Sequence, residues 1–291
     1  MTTPRELVLE AEQRFESAGL TFGHGTATAR DEAVFLVFRP LGLAFDCPET
    51  ALDAPVAPEA ESRIRSLIDE RLERRVPAAY LLGVMWFAGY EFEAAPEALV
   101  PRSPIAELIL AGFEPWLGGR RLRSALEIGT GSGCIACAVA LEFPEIQVDA
   151  TDLSEAALAL ARRNVARHGL EDRVELIPAD VWPPGRRCYD LVVSNPPYVP
   201  DHVVAALPAE YRHEPALGLK GGPDGMAVVD RILAGAAERL NPGGLLVLEV
   251  GEQSFEFESR YPDLDMAWVE LVHGGEGVMV IEREALAARL A

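Results

Sequence analysis

Ala125-Leu126-Glu127-Ile128-Gly129-Thr130-Gly131-Ser132-Gly133-Cys134 is the stretch that decides the fold. Its first four residues have the length of a short buried strand, interrupted by one acid. Three glycines at alternate positions follow, and residues 134–142 read as a helix. A strand that runs through a glycine loop into a helix forms a unit whose backbone can approach a ligand closely, because glycine lacks a Cβ.

The same alternation continues downstream. Residues 146–151 predict a strand and 154–168 a helix capped by Ser154. Residues 174–178 and 190–194 predict strands and 226–240 a helix. The turn Asn241-Pro242-Gly243-Gly244 leads into a strand at 245–250. Residues 266–272 and 277–282 predict a closing pair. Strand and helix alternating in this way imply an α/β fold: a doubly wound parallel sheet, helices on both faces, and an antiparallel closing strand.

Upstream the character changes. Apolar residues at helical spacing predict helices at 4–19, 31–43 and 58–75, with Pro40 expected to perturb the second. Residues 80–100 predict two strands with a turn near Ala88-Gly89. A further helix is expected from Pro104 to about residue 117. The expected organisation is a helical substrate-recognition domain at 1–76, a hairpin linker at 77–104 and a catalytic domain at 105–291.

The ends of the predicted parallel strands carry the chemistry. The glycine spacing is G-x-G-x-G rather than the G-x-G-x-x-G of a dinucleotide site. Glu127 would oppose a pyrophosphate and suits a cationic ligand. Asp152, followed by Leu153, ends the second strand, where a carboxylate can accept both hydroxyls of a ribose. Asp180 follows the third, placed to take an adenine amino group, with Val181 and Trp182 flanking the ring. Together these favour S-adenosylmethionine over a nicotinamide cofactor. The expected cofactor contacts are Glu127, Gly129, Thr130, Gly131, Ser132, Gly133, Asp152, Leu153, Asp180, Val181, Trp182 and Asn195.

Asn195-Pro196-Pro197-Tyr198 follows the apolar run 191–193. Two prolines cannot continue a central strand, and each restricts the residue before it. The product is a stiff loop with one amide, carbonyls of fixed direction and an aromatic ring. It suits a planar group with two N–H donors. Asn195, Pro196 and Tyr198 are the expected catalytic residues. Pro197 and Arg102 join them as expected substrate contacts, and Glu214 and His213 are further candidates for support.

The net charge of −20 opposes sequence-independent nucleic-acid binding, which relies on basic side chains, and is compatible with a basic protein partner. Cys134 and Cys137 form a C-x-x-C without a second pair to complete a zinc site, so packing is the favoured reading and no metal is expected. No apolar run reaches the ~20 residues of a membrane span. With no signal-peptide core at the N-terminus, a cytoplasmic location is expected.

Glu127-Ile128-Gly129-Thr130-Gly131-Ser132-Gly133 together with Asn195-Pro196-Pro197-Tyr198 resembles the class I S-adenosylmethionine-dependent methyltransferases of the protein-glutamine type. The resemblance covers nearly the whole chain. Arg75-Val76-Pro77-Ala78-Ala79-Tyr80-Leu81, Trp86-Phe87-Ala88-Gly89-Tyr90-Glu91-Phe92, Leu99-Val100-Pro101-Arg102-Ser103-Pro104-Ile105 and Glu210-Tyr211-Arg212-His213-Glu214-Pro215 are similar to its ribosomal-protein branch. Many members of that branch have Met-Cys where this chain has Glu127-Ile128. The resemblance implies methylation of a glutamine amide on large-subunit ribosomal protein three, with no DNA and no membrane involved. The alternatives are a release-factor glutamine methyltransferase, a nucleic-acid amino methyltransferase and a non-catalytic ribosome-assembly factor.

Overall fold

The structure, a computed structural model, describes residues 2–290. It opens with five helices: α1 (Pro4–Ser17), α2 (Ala29–Leu41), α3 (Glu49–Leu52), α4 (Pro58–Arg74) and α5 (Ala78–Leu82). Thr3 and Thr28 start α1 and α2 with reciprocal caps, each side chain accepting a backbone N–H while an acid three residues on accepts the cap's own N–H. Pro40 falls in the last turn of α2, which ends at Gly42 with φ 66°. The apolar faces share one core that includes Leu7, Phe15, Leu36, Ile64 and Ile68. Within this part of the chain Arg71 is fully buried and pairs with Glu32 and Glu210.

Residues 80–82, expected in a strand, lie instead in α5. Pro77 sets its start, Ala78 and Ala79 are good helix formers, and Gly83 ends it at φ 72°. The hairpin is shorter, β1 (Val84–Phe87) against β2 (Tyr90–Glu93). Ala88 and Gly89 both have positive φ, 48° and 80°, the backbone that a two-residue turn between twisted strands needs. Next comes α6 (Ile105–Leu110), shorter than expected because Gly112 and Phe113 turn left-handed directly after it.

The remaining elements are β3 (Ser124–Ile128), α7 (Cys134–Glu142), β4 (Gln147–Asp152), α8 (Glu155–Arg167), β5 (Val174–Pro178) and β6 (Tyr189–Ser194). They continue with α9 (Asp201–Val204), α10 (Ala227–Arg239), β7 (Leu240–Glu249), α11 (Ser254–Arg260), β8 (Ala267–Trp268), β9 (Val278–Glu282) and α12 (Arg283–Leu290). The sheet order is β5-β4-β3-β6-β7-β9-β8. The first five strands are parallel; β9 runs antiparallel to β7, and β8 to β9. Strand β7 starts at Leu240, with the expected turn residues forming an irregularity opposite Tyr189. Of the closing pair, only two residues of β8 reach the sheet.

Side chains alternate across this sheet as the pleat requires. Ala125, Leu191, Val193, Leu245 and Val247 face one core, shared with α6, α7 and the hairpin. Leu126, Ile128, Val192, Leu246 and Leu248 face the other, shared with α10 to α12. The same parity puts Glu127 and Glu249 on the α6–α7 side. Cys134 and Cys137 are buried free thiols packed in that core, where burial pushes the Cys134 thiol up to about 12.

Candidate active site

The strand order reverses between β3 and β6, the switch point at which an open α/β sheet forms a crevice. Register determines what stands there. Ile128 pairs with Thr151 on one side and Ser194 on the other, and Ser194 pairs with Leu248. One residue further on, Asp152, Gly129, Asn195 and Glu249 therefore form a row across the carboxyl ends of four adjacent strands. Ser194 ties the middle of this row by donating its hydroxyl to the Ile128 carbonyl at 2.8 Å.

The glycine loop is held from three directions. The N–H groups of Gly129 and Thr130 both donate to the Thr151 carbonyl, at 2.9 and 2.8 Å. Asp152 accepts from the N–H of Gly131 and of Ser154, each at 2.8 Å, and burial raises its pKa. The fully buried Asn164 on α8 donates to the carbonyls of Ser132 and Glu93 and accepts from the Glu93 N–H, joining loop, helix and hairpin. Gly129 has φ +74° and open space where a Cβ would stand, so the backbone is uncovered at that position. Leu153, 58% exposed, presents an apolar side chain beside it. A glycine wall, a carboxylate and an exposed leucine fit an adenosyl group.

Glu127 has a second task that the spacing did not reveal. Its Oε2 accepts from the Thr130 hydroxyl at 2.5 Å and from the Ala136 N–H in the first turn of α7 at 2.9 Å. It satisfies one of the free N–H groups in the first turn of α7, whose N-cap is Gly133, and burial pushes its carboxyl up to about 8.

The third strand end departs from expectation. Asp180 is half exposed and paired with Arg231 at 2.8 Å, so its carboxylate is engaged by α10. Val181 is buried at φ 74°, its carbonyl accepting from the Thr151 hydroxyl. Trp182 donates its indole N–H to the Arg231 carbonyl and lies on Gly235 of α10. It packs, partly buried, against the core on the α10–α12 side of the sheet. A Cβ at Gly235 would stand 2.4 Å from the indole nitrogen. Gly235→Ala is expected to destabilise the fold by about 1–3 kcal/mol, read as a lower thermal midpoint.

The Asn195-Pro196-Pro197-Tyr198 loop is anchored at its far end. Val199 donates to the Leu219 carbonyl and accepts from Gly221, forming an isolated parallel bridge with Lys220. The Tyr198 hydroxyl donates to Glu249 Oε1 at 3.1 Å, and burial raises the Tyr198 pKa further, so the phenol stays protonated. Arg102 is committed to Glu214, one of its amino groups lying 2.8 Å from Oε2. Glu214 is buried and also accepts the Val100 N–H. Arg102 itself is partly exposed, but its guanidinium is engaged by this buried carboxylate, so it braces the segment before α6. His213 is partly buried and its ring meets the Arg74 carbonyl at the end of α4, a structural contact. Glu249, 4% exposed, escaped the sequence reading altogether, since it resembles the polar end of an apolar strand. Among the described residues no three His, Cys, Asp or Glu side chains cluster as metal ligands, and no helix is long and apolar enough to cross a membrane.

Comparison with known proteins places this geometry. Residues 108–209 match the methyltransferase small domain. A ribosomal protein uL3 glutamine methyltransferase of Bordetella pertussis is 45% identical over 98% of this chain and 97% of its own. One from Xylella fastidiosa is 48% identical over 97% of this chain and 91% of its own. The chain belongs to the ribosomal protein uL3 glutamine methyltransferase family. Among solved structures, the catalytic domain of human METTL16 with an RNA hairpin is 14% identical, with a TM-score of 0.52 over 95% of this chain and 89% of its own. That likeness extends the class I methyltransferase architecture to this chain and says nothing of its substrate. At the switch point of this family member the glycine loop, the Asp152 carboxylate and the amide-bearing loop stand on adjacent strand ends.

Proposed function

We propose that this protein transfers a methyl group from S-adenosylmethionine to the side-chain amide nitrogen of a glutamine in ribosomal protein uL3. The observation that carries the reading is the row of Asp152, Gly129 and Asn195 on adjacent strand ends, next to the Asn195–Tyr198 loop. Asp152 would accept the ribose hydroxyls, Leu153 would cover the adenosyl group, and residues 129–133 would line it with backbone. Bound there, S-adenosylmethionine supplies a methyl carbon on a cationic sulfur that leaves as a neutral thioether, keeping the C–S electron pair.

The chain's own task is to present the nitrogen. An amide nitrogen is a poor nucleophile because its lone pair is delocalised into the carbonyl. Asn195 Oδ1 and the Pro196 carbonyl each accept one N–H of the substrate amide, which fixes the lone pair toward the methyl carbon. The N–C bond forms as the C–S bond breaks, and the nitrogen then releases one proton to water. Positioning of this kind can contribute about 7–11 kcal/mol. Tyr198 packs against the flat amide. Residues 1–76 serve as the recognition domain, 77–104 as the linker and 105–291 as the catalytic domain. The charge of −20 suits a basic ribosomal protein, free or in an assembling subunit, in the cytoplasm.

The test offers labelled S-adenosylmethionine with unmodified uL3 and, separately, an unmodified release factor. Methylglutamine on uL3 alone, mapped by mass spectrometry, is the expected result. Label on the release factor alone would reassign the substrate, and label on neither would overturn the reading.

A further inference from the structure

Glu249 is the one member of the switch-point row with no assigned task. It ends β7 on the α6–α7 face of the sheet, side by side with Asn195. Ser103 donates to its Oε2 at 2.5 Å and Tyr198 donates to its Oε1 at 3.1 Å, while the register sets Asn195 beside it at the neighbouring strand end. A buried carboxylate so placed accepts hydrogen bonds and cannot donate. An asparagine side chain presents either an acceptor or a donor according to which end is turned outward. An acceptor-only neighbour selects the NH₂ end for itself and turns Oδ1 outward.

We propose that Glu249 is a positioning residue for methyl transfer: its carboxylate holds the NH₂ end of Asn195 and the hydroxyl of Tyr198, so that Asn195 Oδ1 faces the substrate amide. This rests on the function proposed above and adds the residue that sets the orientation of the catalytic amide. Protonation would undo the selection, because a carboxyl O–H can donate to Oδ1 and let the amide reverse. Glutamine at this position offers both a donor and an acceptor and resembles that protonated form.

Burial raises the Glu249 pKa to about 7, against the hydrogen bonds that favour its charge, so the orientation is pH-dependent near neutrality. The charged and titratable groups facing it are Arg102 from the segment before α6 and Tyr198 from the catalytic loop. Behind these, Tyr211 acts on Tyr198, and Glu214 pairs Arg102. His24, beside Glu214, is pushed down to about 4 by burial and is neutral throughout this range. The neighbouring strand β9 contributes the apolar Val278. Glu127, on the same face of the sheet in β3, is also raised by burial, to about 8. The sign follows: the carboxylate is the competent form, so activity rises as pH passes from 6 to 8.

The experiment measures methyl transfer to uL3 against pH for the wild-type protein and Glu249→Gln, with S-adenosylmethionine affinity measured by calorimetry as a check on folding. The expected result is a fall in kcat of about a hundredfold, nearly unchanged cofactor affinity, and loss of the limb near pH 7. A variant with wild-type kcat, or one that keeps that limb while losing rate, overturns the proposal. A wild-type protein inactive on uL3 would count against the function alone, and the carboxyl carbon chemical shift of Glu249 then decides. A titration midpoint that moves up in Asn195→Ala supports the contact; an unmoved midpoint overturns it.

Discussion

Asn195→Ala is expected to lower kcat by roughly a thousandfold while leaving S-adenosylmethionine affinity nearly unchanged. The asymmetry follows from where the side chain stands. Asn195 leaves β6 one residue after Ser194, whose own hydroxyl fixes that strand to β3. The glycine loop and Asp152 are held by β4 and α8, through the Thr151 carbonyl, the Gly131 N–H and Asn164. None of these contacts involves the Asn195 side chain, so its removal leaves the adenosyl cradle intact. What is lost is an acceptor that orients the attacking nitrogen. Single-turnover methyl transfer and calorimetry separate the two quantities. Parallel losses of rate and affinity would place Asn195 in cofactor binding instead.

The second large effect is on stability. Arg71→Ala is expected to cost about 3–5 kcal/mol. Arg71 is fully buried, pairs through Nε with Glu32, and donates to the Thr21 carbonyl at 3.0 Å and to Glu210 at 3.5 Å. Glu32 and Glu210 are each only 1% exposed. Deleting the guanidinium leaves Glu32 with the Thr26 hydroxyl, and Glu210 with Arg75 and the Thr21 N–H. A buried carboxylate that loses its counter-charge is penalised by more than the lost bonds alone. Urea unfolding followed by circular dichroism gives the difference. Arg14→Ala is the control: its partner Asp69 is half exposed, and a change under about 1 kcal/mol is expected there. An Arg71→Ala cost equal to that of the control would mean that water reaches the cluster.

The parallel sheet, its glycine loop and the stiff loop after β6 were legible because each rests on local rules: apolar runs, glycine spacing and paired prolines. Residues 80–82 were misread because aromatic and aliphatic residues suit strand or helix alike. There, Pro77 and Gly83 outweighed the pattern. Trp182 and Asp180 were assigned to the cleft from their place after a strand, yet α10, some fifty residues later, supplies their partners. Glu249, Asn164 and the Arg102–Glu214 pair share that difficulty. Their partners are remote in sequence, and no single-residue signal marks a buried acid at a strand end as different from a solvated one. Parity along β7 could have flagged Glu249, since it shares the inward face with Leu245 and Val247.

The arginine cluster also bears on how the chain is made. Arg71 and Arg75 are balanced by Glu32 and Glu210, and Glu210 lies 139 residues after Arg71. At about 5–20 residues per second, synthesis takes roughly 7–30 s to cover that distance. Throughout that interval the fully buried Arg71 and the partly exposed Arg75 have only Glu32 of these two carboxylates beside them. The charge balance closes only when the segment following the Asn195–Tyr198 loop arrives, so completion of the N-terminal core is timed by translation of the catalytic half.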